Sequence, residues 1–307
     1  MTQGAEPLLA IVGPTASGKS EAAVAVAEAL GAEIVSVDSM LVYRGMDIGT
    51  AKPSPADRAR VPHHLIDVVR PSEPFSVARY RELAETAIRG IRARGRRVLL
   101  VGGSGLYFRA IVDRLAFPGM DPRARAWLQL EARALGPERL HARLAELDPV
   151  AAARIDPPNV RRTVRALEVA AVTGRPFSAF AADWARYEPG RVRAAGIEIP
   201  REVLAARIEA RVRAMVEEGL VEEVRGLLDR GLGRWLTASQ AIGYAEFARH
   251  LAGELMLEEA VASTVRRTRE LARRQMVWFR RDPRIRWFRA GPEGAIALVE
   301  RLVGYLG

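Results

Sequence analysis

Leu8-Leu9-Ala10-Ile11-Val12 is an unbroken apolar run stopped by Gly13-Pro14, the pattern of a strand buried on both faces. Ser20 to Leu30, rich in Ala, Val and Glu, predicts a helix closed by Gly31. Glu33-Ile34-Val35-Ser36-Val37 predicts a second strand, and Phe75 to Arg94 a second helix closed by Gly95. Val98 to Val101 predicts a third strand, which runs into Gly102-Gly103-Ser104-Gly105. Strands alternating with helices imply an α/β fold, a parallel sheet with helices on its faces. The pattern changes near Pro118-Gly119. From Asp121 to about Trp184 every periodicity is helical, broken at Gly136-Pro137 and Pro157-Pro158. Strand-like sequence resumes at Ala194–Ile199 and again at Ile285–Phe288. Between them, Glu259 to Arg281 reads as an amphipathic helix with Val261, Val265, Ala272 and Phe279 on one face. The expected organisation is a core of residues 1–118 and 194–307, interrupted by an all-helical insertion domain at 119–193.

The junction of the first strand and helix carries candidate chemistry. Gly13-Pro14-Thr15-Ala16-Ser17-Gly18-Lys19-Ser20 fits G-x-x-x-x-G-K-[ST], the phosphate loop shared by ATP-binding and other nucleotide-binding proteins, and it sits after a strand and before a helix. Glycines let backbone N–H groups turn inward on a phosphate, and the helix N-terminus adds partial positive charge. Lys19 supplies a full charge, and the Ser20 hydroxyl suits Mg²⁺ that keeps other phosphate and water ligands. The fold expected is thus P-loop NTPase-like, binding a di- or triphosphate. Such proteins also carry an acid at the end of a core strand. The third strand ends in glycines and serine, and the acid at a strand end is Asp38. In a doubly wound sheet, strand ends meet at one crevice. Asp38 is therefore expected beside the loop, holding metal or acting as a general base, with helix capping as the plain alternative.

Composition narrows the partners. The chain of 307 residues has 47 basic and 37 acidic residues and a net charge of +10, which points to a polyanion, nucleic acid first. Only Lys19 and Lys52 are lysines; the other basic residues are arginine. The absence of cysteine excludes disulfides, thiolate metal sites and cysteine nucleophiles. No run of about 18 apolar residues occurs, so no spanning helix is expected. The first basic residue is Lys19, and a soluble, cytoplasmic, monomeric protein is the expectation.

Taken together, the loop, Ser36-Val37-Asp38-Ser39-Met40, Tyr43 to Pro53, Pro62-His63-His64-Leu65-Ile66-Asp67, Val101 to Tyr107, Arg165-Ala166-Leu167-Glu168-Val169, Ile242-Gly243-Tyr244 and Arg273-Arg274-Gln275-Met276-Val277-Trp278 resemble the tRNA dimethylallyltransferases. The resemblance covers nearly the whole chain in order. It implies transfer of a dimethylallyl group from its diphosphate to N6 of the adenine 3′ to the anticodon, with Mg²⁺. It implies that Asp38 takes the proton, that Lys19 and an arginine after the insertion clamp the diphosphate, and that Asp38, Ser39, Met40 and Leu41 contact the target base while Ser104 lines the passage. By position the clamping arginine is Arg211, with Arg207 and Arg213 as competitors. Arg125, Arg161, Arg162, Thr163, Val164 and Arg165 match positions that contact tRNA in relatives. The arginines along Glu259–Arg281 form a stripe that can follow a phosphate backbone or be a solvated face. His63 and His64 are expected to pack rather than bind metal, and the five tryptophans to sit in the core or at domain contacts. Alternatives are an isopentenyltransferase acting on free adenine nucleotides, a P-loop kinase for a nucleoside or small metabolite, and a non-catalytic RNA-binding protein.

Overall fold

The computed structural model describes residues 6–115, 117–180, 186–235 and 237–307. These divide into two compact units, one formed by the chain up to Arg114 together with Glu188–Gly307, the other by Leu115–Tyr187.

In the first unit six parallel strands form one sheet. They are β1 (Leu8–Val12), β2 (Ala32–Val37), β3 (His63–His64), β4 (Arg97–Gly102), β5 (Val192–Glu198) and β6 (Ile285–Arg289), in the spatial order β3-β2-β4-β1-β5-β6. Apolar runs form these strands because both faces are covered. Leu9, Ile11, Ile34, Leu99, Val101 and Ile197 point to α1 (Lys19–Leu30) and the C-terminal helix. Their chain neighbours Ala10, Val12, Val35, Val37, Leu100 and Ala194 point to α3 (Val77–Ala93) and α4 (Gly105–Val112). This alternation is the two-residue period of a strand. Burying each large aliphatic side chain contributes about 1.5–3 kcal/mol. The short α2 (Pro55–Arg60), capped by Ser54, and the two-residue β3 lack the length to show in an apolar pattern.

Beyond β5 the chain forms α9 (Arg201–Glu217), α10 (Leu220–Asp229), α11 (Tyr244–Leu251) and α12 (Leu257–Phe279), before β6 and α13 (Val299–Leu306). Helices α9 to α12 enclose a further core with Val42, Tyr43 and Met46. The expected apolar face of α12 is real, since Val261, Val265, Ala272 and Phe279 are all buried.

The second unit is helical: α5 (Pro122–Leu135), α6 (Pro137–Leu147), α7 (Pro149–Ala152) and α8 (Val160–Thr173). Each begins at a proline or a capping side chain. Asp121 accepts from Arg123 and Ala124 N–H, and Asn159 accepts from Arg162 N–H. Leu128, Leu140, Leu144, Val164 and Leu167 fill the small core. The unit spans 115–187 against the 119–193 expected, and β5 opens at Val192, ahead of the apolar run that announced it.

Candidate active site

The sheet register brings the candidate residues to one edge. Val12 pairs with Gly102, and Gly102 pairs with Val37. One residue further on come Gly13, Gly103 and Asp38, so Asp38 leaves the sheet two strands from the phosphate loop, about 10 Å at the usual strand spacing. These are the carboxyl ends of the strands, where open α/β sheets bind ligands.

The loop's shape depends on its glycines and on distant braces. A Cβ on Gly13 would sit 3.0 Å from the Ile197 carbonyl oxygen, and Gly18 at the start of α1 is left-handed, φ 79°. Ala16 is also left-handed, φ 62°, a conformation that a non-glycine residue holds only when its surroundings impose it. Those surroundings come from the far end of the chain. Gln275 Oε1 accepts from Thr15 N–H at 2.8 Å, Arg207 Nε donates to the Ala16 carbonyl at 3.0 Å, Arg211 Nη1 donates to Thr15 Oγ1 at 3.3 Å, and Ala295 N–H donates to the Ser17 carbonyl at 3.0 Å. No side chain caps α1, which leaves its first turn facing the loop. Lys19 Nζ donates to the Pro14 carbonyl at 3.0 Å. Ser20 is exposed and its hydroxyl has no partner among the described residues.

Asp38 is held by its own turn. Its Oδ1 accepts from Met40 N–H at 2.8 Å and Leu41 N–H at 3.4 Å, while Oδ2 has no hydrogen-bond partner among the described residues. The capping alternative is thus half met, because the carboxylate caps a turn rather than a helix and keeps one oxygen free. Burial pushes the Lys19 ammonium down to about 8, the Asp38 charge opposing and the Arg211 charge adding to the fall. Burial likewise lowers Arg211, again against Asp38. One carboxylate therefore acts on both cations. Ser39, Met40 and Leu41 are half-buried beside it. Ser104 N–H donates to the Val37 carbonyl at 3.1 Å, and its hydroxyl is unpartnered among the described residues.

Of the three competing arginines, Arg211 is the one whose guanidinium meets a loop side chain. Arg207 is spent on the Ala16 and Pro292 carbonyls, and Arg213 faces Glu258 at 3.4 Å. Gln275, one residue of the Arg273–Trp278 motif, closes the site. A Cβ on Gly103 would run into its Nε2, and one on Gly105 into the Trp278 ring. Two further residues set the segment after Asp38. Lys52 Nζ donates at 2.5 Å to the Tyr43 carbonyl, Asp47 Oδ1 and Asp67 Oδ1, and the Glu223 carboxylate accepts the N–H groups of Asp47, Ile48 and Gly49 and the Tyr244 hydroxyl. A cavity of about 680 Å³ lies here, lined by Lys52, Asp67, Met215 and Arg211. His63 and His64 lie in β3, His63 Nδ1 2.7 Å from the Val61 carbonyl and His64 Nε2 2.7 Å from Glu33. No cluster of three metal-ligating side chains occurs among the described residues.

The insertion residues separate into three kinds. Arg161 and Arg162 are exposed. Arg125 and Arg165 are committed to Glu168, a fully buried carboxylate, at 2.6 and 2.9 Å, and Arg165 also donates to the Pro118 and Gly119 carbonyls. Thr163 and Val164 are buried on the inner face of α8, with Thr163 Oγ1 turned to the Asn159 carbonyl. The arginines on and just beyond α12 are mixed. Arg267, Arg269, Arg274 and Arg280 face Glu246, Glu209, Glu270 and Glu198, whereas Arg266, Arg273 and Arg281 have no acid partner among the described residues. Trp127, expected in the core or at a domain contact, is not in the core, being 55% exposed. Trp235, Trp278 and Trp287 are half-buried, and Trp184 lies outside the described residues.

Comparison with known proteins places the chain in a family. The family profile described as IPP transferase matches residues 41–282. The chain is 52% identical over 301 residues to a tRNA dimethylallyltransferase of Kineococcus radiotolerans, covering 96% of this chain and 94% of that one. It is 54% identical over 282 residues to one of Geobacter metallireducens, covering 91% of each. The crystal structure of the full-length tRNA isopentenylpyrophosphate transferase from Bacillus halodurans superposes with a TM-score of 0.72 at 42% identity, over 98% of this chain and 95% of that one. Extending over nearly the whole length, these likenesses settle descent: the chain belongs to the IPP transferase family, that of the tRNA dimethylallyltransferases.

Proposed function

We propose that this chain transfers a dimethylallyl group from dimethylallyl diphosphate to N6 of the adenine 3′ to the anticodon of tRNA, releasing diphosphate. The observation that carries the reading is the Asp38 carboxylate, locked through Oδ1 with Oδ2 free, at the strand edge shared with Lys19 and Arg211.

An allylic diphosphate ionises readily, so the task of the loop is to hold the leaving group as its charge grows. Loop amides, Lys19 and Arg211 surround that position. Ser20 is the residue that would hold Mg²⁺. One exposed hydroxyl with no acid cluster suits an ion that takes its other ligands from phosphate oxygens and water. When bound, the ion supplies charge neutralisation on the diphosphate. As the C1–O bond to diphosphate breaks, the N6–C1 bond forms, and the N6 proton passes to Asp38 Oδ2. The adenine amine is a poor nucleophile because its lone pair is delocalised, and a base at this point is what it lacks. To reach the crevice the base must leave its stack, as in other enzymes that act on nucleobases. Ser39 to Leu41 and Ser104 flank its path, and Arg161 and Arg162 offer phosphate contacts. Among the described residues no helix is long and apolar enough to cross a membrane.

The test is direct. The protein is mixed with Mg²⁺, labelled dimethylallyl diphosphate and unmodified tRNA, with AMP and ATP as parallel acceptors. Label on an adenine of tRNA is expected, and none on the free nucleotides. Label on AMP or ATP alone would make the chain a free-nucleotide isopentenyltransferase, and ATP turnover without prenyl transfer would make it a kinase.

A further inference from the structure

Helix α5 buries Leu128 and Ala132 and turns the opposite face outward. At 3.6 residues per turn that outer face carries Arg123, Trp127, Leu130 and Arg133. Trp127 is 55% and Leu130 62% exposed, and both arginines are exposed without a side-chain partner among the described residues. A tryptophan beside a leucine in water is an uncompensated apolar surface, which in a soluble chain marks a contact site.

The indole does not hang free. The Arg143 guanidinium lies over its ring, 5.2 Å from the centroid, and Arg143 Nη1 is itself held by Glu131 Oε2 at 2.5 Å. Glu131 fixes Arg143, and Arg143 fixes the indole from one side. A ring oriented in advance loses little freedom when a second flat group stacks on it. Glu131 is also the one acid of α5, so its pairing leaves the outer face with arginines alone. An apolar flat surface bracketed by unpaired cations complements a chain of flat bases joined by phosphates better than it does a protein surface of mixed charge.

We propose that the outer face of α5 is a base-stacking platform for unpaired RNA, with Trp127 as the stacking residue and Arg123 and Arg133 on the flanking phosphates. This deepens the tRNA reading above and rests on it.

The test uses the full chain, with tRNA binding measured across a salt series and steady-state transfer measured for each substrate. Trp127→Ala should weaken tRNA binding by about 5- to 150-fold, the range for losing one stacked base. The loss should be equal at every salt concentration, with kcat and the KM for dimethylallyl diphosphate unchanged. Trp127→Phe should recover most of the affinity. Arg123→Gln with Arg133→Gln should instead flatten the salt dependence, by roughly 0.7–0.9 in logarithmic slope per charge. Wild-type tRNA affinity in Trp127→Ala overturns the platform while leaving prenyl transfer intact. So does a Trp127→Ala chain that melts early and loses both substrates alike, or one whose sedimentation changes while tRNA affinity does not, which would assign the face to self-association. A wild-type chain that neither binds nor prenylates tRNA overturns the platform and the function together.

Discussion

The phosphate loop and the Asp38 turn leave β1 and β2, on either side of β4, at the same edge of the sheet, yet they are held in opposite ways. The loop is braced from outside by Arg207, Arg211, Gln275 and Ala295, residues that follow it by roughly 190 positions or more. The Asp38 turn is braced from within, by the N–H groups two and three residues ahead. The diphosphate cradle thus exists only when the C-terminal half of the chain has folded against it, whereas the aim of the base is a local property of the four residues 38–41. Damage to the helices should appear in the handling of diphosphate. Damage at Asp38 should appear first in the chemistry.

The strongest way to break that contrast is Asp38→Asn. The amide oxygen can still accept from Met40 and Leu41 N–H, so the turn and the melting temperature should persist. The variant no longer offers a carboxylate to the N6 proton. Transfer should fall about 100- to 10,000-fold in kcat, with tRNA affinity near that of the wild type. Single-turnover rates and tRNA binding, measured side by side, decide it. Equal loss of both would make Asp38 a positioning group.

Lys19 sharpens the other side of the contrast, through pH. Burial disfavours its charge and pushes its ammonium down to about 8, from the ordinary lysine value of 10.5. Two opposite trends follow between those limits. The folded chain has shed this proton while the unfolded chain keeps it, so this group alone makes the fold more stable as pH rises. An anion needs the ammonium, so the affinity for inorganic diphosphate, measured in EDTA, should fall by up to tenfold per unit above pH 8. Lys19→Arg should abolish the fall, since a guanidinium stays charged throughout. A wild-type profile that is flat to pH 9.5 would place the amine outside the anion site.

The contrast also explains what could be read from the chain without coordinates. The loop, the strands beside it and Asp38 are legible because their determinants are contiguous: glycines at fixed spacing, apolar runs and an acid directly after one. Gln275, Glu223 and Lys52 are chemically plain residues whose roles arise when helices some 200 residues away, or loops, deliver them to Thr15 N–H, to the 47–49 backbone and to Asp67. No local pattern announces that. The inward side of α8 is hard to read for a related reason. A run of matched positions from Arg161 to Arg165 covers more than one full turn, so two of the five must point into the core, and Thr163 and Val164 do. Hydrophobicity alone sends Trp127 inward, while the α5 period, set by Leu128 and Ala132, sends it out.

The smallest expected effect separates the arginines of the insertion. Arg125 and Arg165 look like RNA contacts by charge, but together they neutralise Glu168, which has no exposed surface. Removing both leaves a buried charge unpaired, a change that costs about 3–5 kcal/mol in comparable sites, so their loss should read as early melting whatever they do for RNA. Arg161 and Arg162 carry no such duty. Arg161→Gln with Arg162→Gln should leave the melting curve in place and lower the logarithmic salt slope of tRNA binding by roughly 0.7–0.9 per charge. A slope like that of the wild type would return these two side chains to plain solvation. The sequence-read tRNA contacts of the insertion would then be confined to Arg125 and Arg165, where RNA and Glu168 compete for the same guanidinium groups.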